Sequence, residues 1–245
     1  MNKRLMFSAA LVMTLLSANA QKRAFTIEDL YKVKGVSSVS LSPDGKTVCY
    51  TASSSDLKNQ KSGSDIYIMN ADGSHTKALT EDGKSSSAVW SKDGKSIFFT
   101  NYEKGTAQIF RMDLTTCETE QVTDYELGIG SPVISPDERY IAFTAEVYPD
   151  LGADAKANKV RMEKKEQGPV QAHIADKLLY RHWTSYNDGR CNHLILFDTQ
   201  TKTYKDLTPG NYSLIFVVGG GITYQFSPDS KEICFVSNHD EHQEA

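Results

Sequence analysis

The chain has 245 residues, of which 39% are hydrophobic and 24% charged. That composition can bury a core and excludes disorder as the default state. A formal charge of −4, with no Lys/Arg run longer than a few residues, leaves no electrostatic footprint for nucleic acid.

Residues 1–20 stand apart. Lys3 and Arg4 precede an almost unbroken apolar run from Leu5 to Leu16, and Ala18-Asn19-Ala20 supplies small residues at a cleavage site. This predicts a secretory signal peptide and a mature chain beginning near Gln21, periplasmic or secreted, with no membrane attachment after cleavage. The apolar run is too short to span a bilayer, and no other stretch reaches the ~20 apolar residues required. Next, Thr26-Ile27-Glu28-Asp29 reads as an N-cap followed by acidic first-turn residues, predicting a short helix over 26–32.

From residue 42 a pattern repeats. Ser42-Pro43-Asp44-Gly45-Lys46 leads into Val48-Cys49-Tyr50-Thr51, and Ser91-Lys92-Asp93-Gly94-Lys95 into Ile97-Phe98-Phe99-Thr100. Ser135-Pro136-Asp137-Glu138 then leads into Ile141-Ala142-Phe143-Thr144, and Ser227-Pro228-Asp229-Ser230-Lys231 into Ile233-Cys234-Phe235-Val236. Each is a reverse turn feeding a strand: Pro presets φ, Asp bonds neighbouring amides, and Gly or Ser follows where the chain reverses. The departures Lys92, Glu138 and Ser230 read as ordinary drift.

A strand, polar turn and second strand follow three of these turns, running Asp65–Met69 to Leu79-Thr80, Gln108–Met112 to Val122-Thr123, and His193–Phe197 to Leu207-Thr208. A period in the forties with about four strands per unit is the signature of propeller blades. The predicted fold is all-β: an incomplete propeller over 21–245 of about three and a half four-stranded blades, at about 36–80, 85–123, 131–208 and, partially, 222–245. The last spacing is doubled because residues 147–190 interrupt the third blade with a charged stretch, 156–167, and an aromatic one, 180–186. An open arc leaves edges and faces unpartnered, which implies a longer protein. Cys49 and Cys234 fall at matching points of the repeat inside apolar strands and are expected to be buried free thiols.

No Gly-x-Ser-x-Gly elbow occurs, so the turn that would present a nucleophilic serine is missing. The repeat already accounts for the abundant Ser and Asp as turn formers, and no catalytic residue, metal site or cofactor site is expected. His239-Asp240-Glu241-His242 could attract a divalent metal but reads better as a polar loop. Gly219-Gly220-Gly221 lacks the Lys-Ser/Thr or following helix of a phosphate cradle and reads as an inter-blade connection. In the insertion, Glu146, Tyr148 and Asp150 leave the third blade together while Arg181, His182, Trp183 and Tyr186 bring the chain back. A carboxylate at a propeller mouth suits a cationic group such as a peptide's free amine; the alternative is that Trp183 packs on the blade and Arg181 pairs with a carboxylate.

The run Phe25–Leu30, the Ser-Pro-Asp-Gly turns, Glu146-Val147-Tyr148-Pro149-Asp150, and Arg181-His182-Trp183 before Asp188-Gly189 resemble the propeller of the prolyl oligopeptidase family, in its acylaminoacyl-peptidase and dipeptidyl peptidase V-like branch. The resemblance covers residues 25–245. It implies a propeller that gates and helps bind peptide substrates for an α/β-hydrolase domain carrying a Ser-Asp-His triad. That domain is absent from these residues, so no catalytic residue carries over. Glu146 is then the expected amine contact, with Tyr148 and Arg181 as neighbours. The turn repeat also occurs in TolB-like propellers, and a periplasmic protein-binding propeller without enzymatic activity is the alternative. Nothing in the sequence speaks to the oligomeric state.

Overall fold

A computed structural model describes residues 23–174, 181–182, 184–214 and 223–237. Residues 1–20, read above as a signal peptide, Trp183, the triple glycine at 219–221 and the His-Asp-Glu-His run at 239–242 lie outside them. Helix α1, Ile27–Lys32, opens the described chain. It starts where the sequence placed its cap: the Thr26 amide donates to the Asp29 carboxylate at 3.1 Å. Arg23, with Thr26 and Lys32 behind it, holds the Asp29 carboxyl far below the usual range.

Strands β1 (Gly35–Leu41), β2 (Thr47–Asp56), β3 (Lys61–Asn70) and β4 (Lys77–Ala78) form the first antiparallel sheet. The second comprises β5 (Ser85–Trp90), β6 (Ser96–Asn101), β7 (Gln108–Asp113) and β8 (Thr119–Gln121). In the third, β9 (Gly130–Ile134) and β10 (Tyr140–Val147) join β13 (Cys191–Asp198) and β14 (Thr203–Asp206). The insertion between β10 and β13 carries helix α2 (Ala155–Glu166) and a hairpin of β11 (Arg181–His182) with β12 (Ser185–Tyr186). Strands β15 (Tyr224–Phe226) and β16 (Ile233–Phe235) form a two-stranded half sheet. The fold is therefore all-β, and each blade pairs its strands in chain order, the third skipping the inserted β11 and β12.

Period-two alternation fixes which face each residue serves. On β6 and β10, Ile97 and Phe99, like Ile141 and Phe143, join the core shared with the preceding blade. The residues between them turn to the following blade. Cys49 packs with Ala88 and Ile97 of blade two, Phe98 with Ile141 and Phe143 of blade three, and Ala142 with Tyr224 and Phe226 of the half blade. Cys49 is accordingly a buried free thiol, and burial pushes it up to about 12. The expectation for Cys234 is overturned: it is exposed. It occupies the same outward-stacking position, and no further sheet among the described residues covers that face.

Each turn is built identically. The Ser42, Ser91, Ser135 and Ser227 hydroxyls donate to the Asp two residues on at 2.6–2.7 Å. The same hydroxyls accept the amide five residues on, at 2.9–3.0 Å. The fourth turn residue is left-handed in every blade, with φ of 72° at Gly45, 69° at Gly94, 62° at Glu138 and 62° at Ser230. Glu138 and Ser230 thus stand where glycine is favoured. Their side chains lash neighbouring turns together: Glu138 accepts from the Lys92 amide at 2.6 Å, and Ser230 from the Asp137 amide at 3.0 Å.

The recurring Leu/Val-Thr pair also has a physical cause. Thr80, Thr123 and Thr208 accept at Oγ1 from the Ile66, Ile109 and Leu194 amides at 2.9–3.0 Å, capping the third strand after the fourth has ended. Thr123 is fully buried, so Thr123→Val should strand the Ile109 amide. The expected loss of unfolding free energy is about 1–3 kcal/mol, measured by urea denaturation, against under ~0.5 kcal/mol for the exposed Thr116→Val.

Hydrogen bonds from the partner serines hold Asp44, Asp137 and Asp229 below the ordinary carboxylate range, and the Lys95 amide does the same for Asp93. A depressed folded-state pKa contributes stability that is present above the unfolded value, near 4, and lost as pH falls through the folded one. The urea midpoint should therefore drop steadily below pH 4, and the quadruple Asp→Asn variant should be less stable at pH 7 but flatter in pH.

Candidate functional site

β10 ends at Val147, and the end of the strand divides the predicted site residues. Glu146 is exposed, whereas Val147 and Tyr148 are buried. Glu146 lies directly across from Asn192 in the β10–β13 register. One carboxylate oxygen, Oε2, takes Nη1 of Arg190 at 3.1 Å. Arg190 is three-quarters buried, and its Nε is also held by Asp188 at 2.8 Å. Two carboxylates thus share one guanidinium, leaving a net negative charge.

Glu146 and Arg190 border a cleft of about 410 Å³ between the second and third blades, a volume within the usual range for small-ligand pockets. Its walls are the β6–β7 hairpin at Tyr102 and Thr106, the connection at Leu127 and Gly128, and Thr144, Glu146, Met162, Arg190 and Asn192. The backbone approaches closely there. A Cβ on Gly130 would sit 2.6 Å from Thr144 Oγ1, so no side chain fits at that point of the wall.

Tyr148 does not enter the cleft. Its ring lies under Arg161, 4.7 Å from centroid to guanidinium carbon, and Arg161 makes a paired 2.7 Å contact with Asp150. Burial, followed by the nearby Asp188 charge, raises its phenol. The first part of the insertion is firmly built around Asn158, which is fully buried. Its Oδ1 accepts from the Tyr148 amide at 2.6 Å, while Nδ2 donates to the Gly152 and Asp154 carbonyls at 3.0 and 2.8 Å. The Asp154 side chain caps α2 through the Ala157 amide.

Arg181 stands elsewhere. It lies on the β11–β12 hairpin over the Tyr186 ring at 6.0 Å, and among the described residues it makes no ion pair with Glu146 or any other carboxylate. Of the three predicted residues, only Glu146 faces the cleft. Its immediate cation is Arg190, which the sequence reading passed over although it sits two residues before the polar Asn192 at the head of the returning strand. Among the described residues no group of three or more His, Cys, Asp or Glu could hold a metal. No described helix is long and apolar enough to cross a membrane.

A family model described as the TolB beta propeller domain matches residues 16–167. The chain is 29% identical to "Dipeptidyl-peptidase 5" of Porphyromonas gingivalis over 97% of this chain and 35% of that protein. It is 25% identical to "Uncharacterized peptidase YuxL" of Bacillus subtilis over 91% of this chain and 33% of that protein. The chain therefore spans about a third of the length of these relatives. Among solved structures, the acylaminoacyl peptidase of Pyrococcus horikoshii matches 74% of this chain and 26% of its own, with TM-score 0.54 and 19% identity. TolB of Acinetobacter baumannii matches 80% and 36%, with TM-score 0.50 and 20% identity. These likenesses show the fold.

Because the buried Asn158 joins strand end, loop and helix, Asn158→Ala should loosen 148–168 without unfolding the blades. Limited proteolysis is expected to cut this segment about tenfold faster than in the unaltered chain, in line with the loss of a buried hydrogen-bonded group, while the blade strands stay intact.

Proposed function

For a chain that belongs to the TolB β-propeller family, we propose the role of substrate-gating propeller in a larger, exported serine peptidase that releases dipeptides or acylated residues from peptide N-termini. The observation that carries this reading is the alignment of nearly the whole chain with about a third of a protein named dipeptidyl-peptidase. The nucleophile, its histidine base and the oxyanion hole would come from residues outside this chain. Residues 1–20 would direct export and then be removed.

Within that role, Glu146 is the group for the substrate's amine. Arg190 pairs with Oε2, and Glu146 lines the cleft, where a carboxylate favours an ammonium. Tyr148 and Arg161 brace the wall behind it. Arg181, on its exposed hairpin, would act at the rim and not at the amine. The competing account is a periplasmic propeller that works through protein contacts alone.

The test begins with intact mass and peptide mapping of the native gene product. A polypeptide running several hundred residues further, with a serine elbow and dipeptidyl p-nitroanilide cleavage, supports the peptidase reading. In that protein, Glu146→Gln should raise KM about tenfold with little change in kcat. A mature product ending at Ala245 would instead favour the binding propeller.

A further inference from the structure

Three equivalent positions lie on the third strand of successive blades, each one residue before the amide capped by the recurring threonine: Asp65, Gln108 and His193. All three clamp the connection that leaves the blade. Asp65 accepts from the Gly83 amide at 3.0 Å. Gln108 donates to the Tyr125 carbonyl at 2.7 Å and accepts from the Tyr125 amide at 3.1 Å. His193 replaces these with a different chemistry. Its Nδ1 meets Asp206 Oδ2 at 2.7 Å and its Nε2 meets the Gly210 carbonyl at 2.9 Å, and the side chain is fully buried.

Both partners are pure acceptors. From an imidazole a carboxylate and a carbonyl can each accept only an N–H, so the two bonds together require a proton on both ring nitrogens. We propose that His193 is a charged staple, an imidazolium that pins the 207–214 connection between the third blade and the half blade, and that loss of one proton opens this connection at Gly210. The remaining proton stays on Nδ1, where the acceptor is charged, leaving the Nε2 lone pair against the Gly210 carbonyl. The β13–β14 pairing, which includes Ile195 opposite Asp206, is then kept while the connection is released.

The surroundings agree with a cation at this point. Asp206 is the charged group in contact, and its other oxygen accepts from the Thr208 amide at 2.9 Å. Cys191 lies two residues earlier on the same strand, and the Tyr212 ring is 6.4 Å away on the connection itself. Tyr125, on the neighbouring connection, lies within electrostatic reach of Asp206 and of Asp154 in the insertion. A Cβ on Gly152 would stand 3.1 Å from Asp206 Oδ2, so the insertion packs onto the same carboxylate. Burial lowers the imidazole pKa, but the Asp206 bond, Cys191 and the Gly210 carbonyl outweigh it and lift the group to about 9. The folded value lies above the ordinary one near 6.5, so the staple's contribution is complete below about pH 6.5 and lost as pH rises through about 9.

The experiment is hydrogen-exchange mass spectrometry on the full chain at pH 6 and pH 10, with rates divided by intrinsic exchange. Peptides over 207–214 should open about ten- to a hundredfold more often at pH 10, while those over 122–129, behind neutral Gln108, stay unchanged. His193→Gln keeps two N–H donors toward the same acceptors and should show no such pH dependence. A flat profile in the unaltered chain, or a pH-dependent one that survives in His193→Gln, overturns the proposal. If that variant does not fold, ¹⁵N shifts decide: two protonated ring nitrogens at pH 7 support the staple, and a single-proton tautomer overturns it.

Discussion

A four-stranded sheet whose middle strands are apolar on both faces cannot exist alone in water. The run Ser96–Asn101 is buried at every position, so each of its faces must meet another sheet. Stacking is the solution, and it places the buried apolar residues of these strands in one of two shared cores, to the preceding or to the following blade. The constraint also explains where burial fails. At the first blade, Val36, Val39 and Leu41 are exposed, and at the half blade Cys234 and Val236 are exposed. These are the positions whose equivalents elsewhere are covered by a neighbour.

The same logic says which parts of the fold could be read from residues alone. Turns were legible because their chemistry is local: a serine, an aspartate two residues on and a left-handed fourth residue make the same bonds wherever they occur. Blade-to-blade bonds were not. The contacts of Glu138 with Lys92 and of Ser230 with Asp137 cross 46 and 93 residues of chain, and no local rule indicates that a missing glycine is answered by a bond to the next turn. The innermost strands carried an equally silent feature. Ser38, Ser87 and Ser131 adopt φ of 50°, 56° and 47° at equivalent points, where each first strand shifts register against its neighbour.

At the cleft, sequence order was a partial guide. Glu146 could be picked out because a carboxylate at the end of a strand, beside an insertion, has few structural duties. Tyr148 could not be separated from it by composition, and strict alternation would even give the two the same face, but β10 ends at Val147 and Tyr148 is buried under Arg161. Arg181 was grouped with both because it borders the same insertion, but chain proximity to a loop says nothing about which side of the loop faces the cleft. Arg190 was missed for the complementary reason. It lies outside the aromatic stretch, and its importance comes from register: the strand that begins beside it pairs Asn192 with Glu146.

Repetition with one exception is the most informative pattern in the molecule. Where three blades solve the same problem, differences at an equivalent position expose what each blade must do beyond stacking. Asp65 and Gln108 hold their connections with bonds that neutral or acidic side chains can make at any moderate pH. Third in the series, His193 holds its connection through a bond to a carboxylate and another to a carbonyl, an arrangement that only a cation completes. The blade with the cation is also the blade with the insertion, and Asp206 touches both: it accepts from His193 and lies against Gly152. The charge that fastens the exit of the third blade therefore sits beneath the loop leading from Glu146 into α2. Asp206 thus stands where the exit of the third blade and the start of the insertion meet.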